Sequence, residues 1–349
     1  MEAIFDPAAV LMDGRFSFLY RWWWPTSPIK SELAERTLLG EIGRDYKLGW
    51  IKLDKERAIN TLYIPAKNQK SVILIAHGFG SGIGFFFKTY PHLLQLVDEG
   101  TTVIAIDWLG MGRSSRVRIK GETLAEVEDY FIDSLEEWRI KMKFEKMTIM
   151  GHSLGGYLAT CYAIKYPNVL DKLILVSPAG FPERPVVLRQ YPWYFRVLFV
   201  LWENSFTPQG IVRSLGPLGP RSLNNYTTRK FGHLDKEDLA NLRDYLYHIS
   251  ADTGAGEYAI SHIFLPGAFA KSPLALRFHQ VTVPTRFICI LLTNSDGTAD
   301  WMDKEGAIAA IRNHKNPEMH KIFTSEGGHH LYLDNYVAFN ELFESILRE

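Results

Sequence analysis

The chain alternates between short apolar runs and helical stretches, and this alternation restricts its fold more than any other feature. Strands that are buried on both faces and connected through helices pair in parallel. The alternation therefore predicts a doubly wound α/β sheet. The candidate strands are Ser71–Ala76, Thr102–Ile106, Met147–Met150 and Leu173–Val176, and the candidate helices lie around Phe85–Glu99, Leu124–Lys143 and Gly156–Tyr166.

The alternation stops at Pro178 and resumes about a hundred residues later. Residues from about 181 to 280 are rich in proline, aromatic and helix-forming residues and contain no strong strand pattern, whereas Thr285–Leu292 and Lys321–Phe323 continue the strands. We therefore predict an aromatic N-terminal segment at 1–43 and an α/β domain at 44–349 with an inserted, mainly helical cap at about 181–280. The first strands, Lys47–Leu53 and Ile59–Ile64, are predicted to form an antiparallel pair, and the last helix spans Val337–Leu347.

Composition excludes several classes of protein. The chain has 39 basic residues (Lys and Arg) and 39 acidic residues (Asp and Glu), so its net charge is zero. This balance argues against a general nucleic-acid binder, which needs a cationic surface. The two cysteines, Cys161 and Cys289, are too few for a disulfide framework or a Cys-rich zinc site, and we expect both to be buried thiols. The N-terminal residues do not have the pattern of a secretory signal, and no apolar stretch reaches the roughly 20 residues of a membrane-spanning helix. We expect an intracellular protein.

The motif GHSLGG contains a candidate nucleophile, Ser153. It follows the strand MTIM and precedes a helical stretch, which is the context in which G-x-S-x-G forms a sharp turn that exposes the serine hydroxyl. A tight turn without chemistry is the alternative, and the strand-to-helix context favours a nucleophile. The next helix directs its N-terminal amides towards the serine.

The motif HGFG follows the strand SVILIA, and its glycines allow the backbone to curl beside Ser153. The Phe79 and Leu154 amides are predicted to form a two-donor oxyanion hole. A plain glycine-rich turn is the alternative. In the motif DWLGMGRS, Asp107 and Ser114 are expected to brace their loop through hydrogen bonds to the backbone.

A serine nucleophile needs a base, and His329 in GGHH lies between the last predicted strand and the last helix. His329 is the predicted base, and the side chain of its neighbour His330 is expected to point elsewhere. The base needs a carboxylate to hold its tautomer. Asp300, after the penultimate strand, completes the chain order Ser, Asp, His; Asp303 and Asp296 remain alternatives.

These motifs, together with RWWWPTS, LVSPAGFPERP, SLGPLGPRS, GEYAI and GTADWMD, resemble the α/β-hydrolase-domain 4/5 subfamily over nearly the whole chain. The resemblance is greatest to its fungal, cardiolipin-specific deacylase-like branch. The stretch ILLTNSD at 290–296 is an apparent addition to that pattern, and it leaves the choice of the acid open. The resemblance implies the α/β-hydrolase fold.

By resemblance, the protein is a serine hydrolase that deacylates phospholipids, with cardiolipin favoured and no metal or organic cofactor. The resemblance also implies a second motif, H-x4-D, which is formed by His329 and Asp334 and shared with glycerolipid acyltransferases. Our interpretation is that Asp334 only braces the loop. The alternatives are an acyl-CoA-dependent lysophosphatidate acyltransferase, a non-catalytic lipase regulator and a small-molecule esterase. The resemblance favours the mitochondrial inner membrane, with lipid droplets or the endoplasmic reticulum as alternatives.

Aromatic residues crowd the N-terminal segment, where Trp22, Trp23 and Trp24 are adjacent. Three adjacent large rings cannot all face one core from a helix or a strand. Because Trp prefers the membrane interface, we predict peripheral membrane contact through these residues. In the cap, the aromatic stretch 193–202 is either a second membrane contact or a set of rings that pack against the core or close the cap over an acyl tunnel.

Overall fold

The computed structural model describes residues 5–6, 23, 26–119, 121–182, 206–266, 268–290 and 304–349. Nine of the strands form one sheet, in the order β1-β2-β3-β5-β4-β6-β7-β10-β11, and β8 and β9 form a separate hairpin. The strands are β1 (Phe5–Asp6), β2 (Lys47–Lys52), β3 (Ala58–Ile64), β4 (Ser71–Ala76), β5 (Thr101–Ile106), β6 (Met147–His152), β7 (Leu170–Val176), β8 (Phe264–Leu265), β9 (Phe269–Ala270), β10 (Thr285–Ile290) and β11 (His320–Ser325).

The strands from β4 onwards in the large sheet run parallel, whereas β1, β2 and β3 pair antiparallel at one side. The predicted antiparallel pair and doubly wound sheet are therefore confirmed. The reversal of strand order between β5, β4 and β6 places the carboxyl ends of β4 and β6 side by side. Ligand sites of open α/β sheets lie at such a switch point.

Helices cover both faces of the sheet. They are α1 (Pro28–Leu39), α2 (Leu94–Glu99), α3 (Leu124–Met142), α4 (Leu154–Lys165), α5 (Pro208–Ser214), α6 (Gly219–Phe231), α7 (Lys236–Ala251), α8 (Ile260–Ile263), α9 (Leu274–Arg277), α10 (Lys304–Arg312), α11 (Leu331–Asp334) and α12 (Tyr336–Arg348). The buried side chains form two apolar clusters, and alternate residues of the central strands contribute to one or the other. In β4, for example, Leu74 belongs to one cluster, and Ile73 and Ile75 belong to the other. The sheet thus has a core on each face, which explains its continuous apolar strands.

The segment between β7 and β10 is mainly helical in its described part, where α5 to α9 accompany the short β8–β9 hairpin. Helix α7 packs against α1, α5 and α6, so these cap helices form one group with the N-terminal helix. Among the described residues, no helix has the length and apolar character needed to cross a membrane. Residues 183–205, and with them the aromatic stretch predicted at 193–202, lie outside the described residues.

One predicted helix is wrong in its first half. The sequence predicts a helix around Phe85–Glu99. The chain instead forms short 3₁₀ turns at Ile83–Phe86 and Pro91–Leu93, and α2 begins only at Leu94. Pro91 lacks an amide hydrogen, and Gly84 passes so close to Tyr245 that an added Cβ would lie 2.8 Å from its ring. Packing against a cap residue, which the local sequence does not reveal, explains this tight conformation.

Candidate active site

Ser153 lies at the tight turn between β6 and α4. Its φ of 53° and ψ of −118° are unusual for a residue with a side chain, and the turn presents the hydroxyl at the end of the sheet. Two glycines make the turn possible. An added Cβ would lie 2.4 Å from the carbonyl oxygen of Gly155 if placed at Gly151, and 2.5 Å from that of Ala76 if placed at Gly155.

His329 reaches Ser153 from the loop between β11 and α11. Its Nε2 lies 3.1 Å from Ser153 Oγ, although 176 positions separate the two residues in the chain. This is the distance at which an imidazole can accept the proton of a hydroxyl group. The structure therefore brings together the two residues that the sequence singled out as nucleophile and base.

The HGFG loop passes close to Ser153. An added Cβ at Gly78 would lie 2.9 Å from Ser153 Cβ. His77 Nδ1 donates to the Gly78 carbonyl oxygen over 2.7 Å and thereby fixes the loop. Neither the Phe79 nor the Leu154 amide donates a hydrogen bond to another of the described residues. Two amides without acceptors, next to a serine hydroxyl, are suited to a developing oxyanion.

His152 precedes Ser153 and supports the loop that carries His329. Its Nε2 lies 2.9 Å from the His329 carbonyl oxygen, so this nitrogen must carry the proton. Its Nδ1 accepts from the Tyr332 hydroxyl over 3.3 Å. Burial, with a smaller contribution from His329, holds the pKa of His152 well below its ordinary value. His152 is therefore a neutral brace for the backbone of His329, a role that the sequence analysis missed.

His330, whose side chain the sequence predicts to point elsewhere, has a ring that contacts Phe85 and Phe231. Its amide donates to Asp334 Oδ2 over 3.1 Å. Burial raises the pKa of Asp334 above its ordinary value. In the H-x4-D motif, this aspartate thus holds the backbone of the loop that carries His329.

Asp107 organises the loop after β5. Its side chain accepts from the Ile83 amide over 2.9 Å and from the Arg113 amide over 2.7 Å, while the Ser114 hydroxyl donates to its carbonyl oxygen over 2.6 Å. The predicted bracing role of Asp107 and Ser114 is confirmed. His77 Nε2 lies 3.6 Å from Asp107 Oδ1, so this loop also contacts the HGFG loop.

A buried polar network extends from Asp107 to the N-terminal helix and the cap. Arg113 Nη1 donates to Glu35 Oε2 over 2.6 Å, and Asn60 Nδ2 donates to Asp107 over 2.8 Å and to Glu35 over 3.2 Å. The Tyr245 hydroxyl of α7 donates to Glu35 over 3.2 Å. Burial raises the pKa of both Glu35 and Asp107. This network has no local signal in the sequence, because its members come from distant segments.

Several predicted residues cannot be compared with the structure. Asp300, Asp303 and Asp296, the candidates for the acid, lie outside the described residues, as do Trp22 and Trp24.

Both cysteines are buried, as predicted. Trp23 is 39% exposed, and an added Cβ at Gly216 of the cap would lie 2.7 Å from its ring. In the described part of the chain, no group of His, Cys, Asp and Glu side chains is arranged to hold a metal ion.

Comparison with known proteins gives relatives of nearly full length. Residues 71–336 match the family described as alpha/beta hydrolase fold. A 1-acylglycerol-3-phosphate O-acyltransferase of Arabidopsis thaliana is 37% identical, with 91% of this chain and 80% of the relative covered. The human 1-acylglycerol-3-phosphate O-acyltransferase ABHD5 is 31% identical, with 90% and 88% covered. A human (lyso)-N-acylphosphatidylethanolamine lipase is 30% identical, with 92% of each chain covered.

Solved structures agree on the fold. A bacterial membrane phospholipase A superposes with a TM-score of 0.65 at 16% identity and covers 92% of each chain. An esterase from Exiguobacterium antarcticum superposes with a TM-score of 0.59 at 20% identity, with 84% of this chain and 96% of the esterase covered. The sheet order, the family match and these relatives together show that the chain belongs to the α/β-hydrolase family and, within it, to the α/β-hydrolase-domain 4/5 subfamily.

Proposed function

We propose that the protein is a serine-dependent hydrolase of acyl esters in glycerophospholipids. The observation that carries this proposal is the 3.1 Å contact between Ser153 Oγ and His329 Nε2 at a turn with a strained serine backbone. A partly exposed serine hydroxyl with a base in contact and two amides without acceptors beside it has the parts needed for acyl transfer. The names of the relatives supply the lipid class of the substrate.

In the proposed reaction, Ser153 attacks the ester carbonyl carbon while its proton passes to His329. The amides of Phe79 and Leu154 stabilise the oxyanion, and His329 then protonates the leaving lysolipid oxygen. Water, deprotonated by the same imidazole, attacks the acyl-enzyme and releases the fatty acid. Asp300 is the proposed partner of the His329 imidazole, with Asp303 and Asp296 as the alternatives.

We also propose a substrate, a location and a membrane contact for the protein. The resemblance to the fungal branch makes cardiolipin the first substrate to test, and the mitochondrial inner membrane the first location. We propose peripheral contact with that membrane through Trp22, Trp23 and Trp24. A lipid-droplet or endoplasmic-reticulum location would accompany the acyltransferase or regulator alternatives.

Acyl transfer to a lysolipid is the second candidate function, and the names of two relatives favour it. It would use the same acyl-enzyme, with an alcohol instead of water as the acceptor. The acyl donor would be acyl-CoA, whose thioester Ser153 would cleave. We propose that Asp334 does not form a separate centre for this reaction, because its side chain accepts from the His330 amide within the loop.

The test is mass spectrometry of a mixed phospholipid extract that contains cardiolipin, after incubation with wild type, Ser153→Ala or His329→Ala. Each variant should lose about a thousandfold or more in rate, because the two residues act as a unit. Ser345→Ala is a matched control, since this exposed serine of α12 only donates to the Leu342 carbonyl oxygen. Near-normal turnover by Ser153→Ala would exclude the mechanism, because catalysis would then not depend on this serine. A non-catalytic regulator would instead show no turnover in wild type and would keep its function in Ser153→Ala.

Parallel incubations resolve the remaining alternatives. Acyl-CoA with lysophosphatidate tests transfer, and robust transfer by Ser153→Ala would reveal a second centre. Soluble short-chain esters test the small-molecule esterase, whose rate would not rise when its substrate forms an interface. Asp300→Asn should lose more activity than Asp303→Asn or Asp296→Asn, and the opposite order would reassign the acid.

A further inference from the structure

A lysine of the cap approaches the loop that carries His329. Lys230 lies in the last turn of α6, and an added Cβ at Gly328 would lie 3.5 Å from its Nζ. Its side chain is only partly exposed, whereas the neighbouring Arg229 is exposed. The ammonium group of Lys230 therefore sits over the residue that precedes the proposed base.

The other polar groups around this ammonium do not neutralise it closely. In the described ranges, no carboxylate lies within 4 Å of Lys230 Nζ. Asp334 belongs to the same loop, but it accepts from the His330 amide, and its Oδ1 lies 3.9 Å from His233 Nε2. Asp334 is still near enough for the charge of Lys230 to oppose the effect of burial and lower the pKa of this carboxyl group. A partly exposed cation whose carboxylate partner is not in direct contact can still bind an anion.

Two of the surrounding histidines, His152 and His330, cannot supply this charge. Burial, above all, holds the pKa of His152 and His330 well below the ordinary value, and the nearby Lys230 contributes to the lowering of both. These two rings are therefore neutral near pH 7. Lys230 is thus a fixed positive charge beside a group of uncharged rings at the nucleophile.

We propose that Lys230 binds the phosphate group of the lipid on the leaving-group side of the scissile ester. This inference rests on the proposed function. His329 would protonate the glycerol oxygen of the leaving lysolipid, and only a short glycerol backbone separates that oxygen from the phosphate. A cation over the His329 loop is therefore placed where the phosphate of a phospholipid would lie. Lys230 would select phosphate-bearing esters over neutral glycerides.

The experiment compares phosphatidic acid with diacylglycerol that carries the same acyl chains, each in micelles of a neutral detergent. The readout is the ratio of kcat/KM for the two substrates. Lys230→Gln should lower this ratio about ten- to a hundredfold, the range for loss of a hydrogen bond between charged groups. Lys230→Arg should restore most of the ratio because it keeps the charge. Arg229→Gln is the matched control and should leave the ratio near that of wild type.

Three results would overturn the inference. The first is an unchanged ratio in Lys230→Gln, and the second is an equal loss on both substrates, which would indicate a structural role. The third concerns micelles of diacylglycerol to which an inert anionic lipid is added. If Lys230→Gln lowers kcat/KM in these micelles as much as it does with phosphatidic acid, Lys230 senses the charge of the surface and does not bind the phosphate of the substrate. Binding of short-chain phosphatidic acid and diacylglycerol to Ser153→Ala, with and without Lys230→Gln, tests the same preference without turnover. Failure of the proposed function would appear separately, as diacylglycerol or phospholipid hydrolysis that survives Ser153→Ala.

Discussion

Removal of Arg113 should destabilise the fold strongly, because this side chain is the cation within a buried pair of carboxylates. Arg113 is 7% exposed, Glu35 and Asp107 are fully buried, and Arg113 Nη1 lies 2.6 Å from Glu35 Oε2. Arg113→Met keeps most of the side-chain volume but leaves two buried carboxylates without their cation. Such a loss costs about 3–5 kcal/mol. We expect the free energy of unfolding to fall by that amount.

The matched variant is Glu35→Gln, which should cost much less. The single amide oxygen, at the position of Oε1, can still accept from Asn60 and Tyr245, and Arg113 keeps an ion pair with Glu32, whose carboxylate lies 3.0 Å from its Nη2. About 1–2 kcal/mol is expected, the usual effect of a weakened buried hydrogen bond. Because one carboxylate is removed, the double variant Arg113→Met/Glu35→Gln should be more stable than Arg113→Met alone.

The pH dependence provides an independent test of the same network. Burial raises the pKa of Glu35 and Asp107, so between the ordinary carboxyl pKa and the raised value the folded state binds more protons than the unfolded state. Stability therefore falls as pH rises through this window. Without Arg113 both pKa values should rise further, so the deficit of Arg113→Met should be larger at pH 8 than at pH 6.

Urea unfolding followed by tryptophan fluorescence and circular dichroism measures these free energies. The reasoning would be refuted if Arg113→Met cost less than about 1 kcal/mol, or no more than Glu35→Gln. Arg113→Met alone is expected to be so unstable that it does not fold under some conditions. That result agrees with the prediction only if the double variant Arg113→Met/Glu35→Gln folds under the same conditions. A double variant that is less stable than Arg113→Met would show that the carboxylates do not need the cation.

Three further predictions concern other parts of the molecule. Burial, with a contribution from His314, lowers the pKa of His320 to about 4, so stability should be lost as pH falls from about 6.5 towards 4. His320→Gln should reduce the slope of the free energy of unfolding against pH by up to about 1.4 kcal/mol per pH unit; an unchanged slope would contradict this. Gly155→Ala should abolish ester hydrolysis because its Cβ would lie 2.5 Å from backbone oxygens, whereas Gly40→Ala, with no atom within 4 Å, should retain wild-type rates; an active Gly155→Ala enzyme would show that the turn relaxes. Replacement of Trp22, Trp23 and Trp24 by Ala should reduce liposome co-sedimentation but spare soluble esters; unchanged sedimentation would place the membrane contact elsewhere.

The sheet and the pair Ser153–His329 could be predicted because their signals are local. Apolar strands that are buried on both faces retain their pattern regardless of what packs on them. The strand-to-helix turn around Ser153 needs its glycines in sequence, so the motif itself describes the geometry. The loop with His329 follows from the order of the strands.

The helix predicted at Phe85–Glu99 and the buried network show where such prediction fails. Glu35, Asp107 and Tyr245 belong to three segments that meet only when the N-terminal helix and the cap pack on the sheet. No periodicity connects them. Their residue types are those of ordinary surface positions, so burial, which gives them their energetic effect, comes from tertiary structure.

The proposed phosphate site gives the cap a role in substrate choice. The structure fixes the tautomer of His152 through the His329 carbonyl oxygen, and burial keeps the ring uncharged. A neutral brace can hold the base loop without adding a charge that would oppose the imidazolium formed at His329 during catalysis. The positive charge for an anionic lipid must then come from outside the sheet, and Lys230 provides it from a helix that belongs to the cap. Substitutions in α6 could therefore change the preferred lipid while Ser153, His329 and their amide donors stay in place.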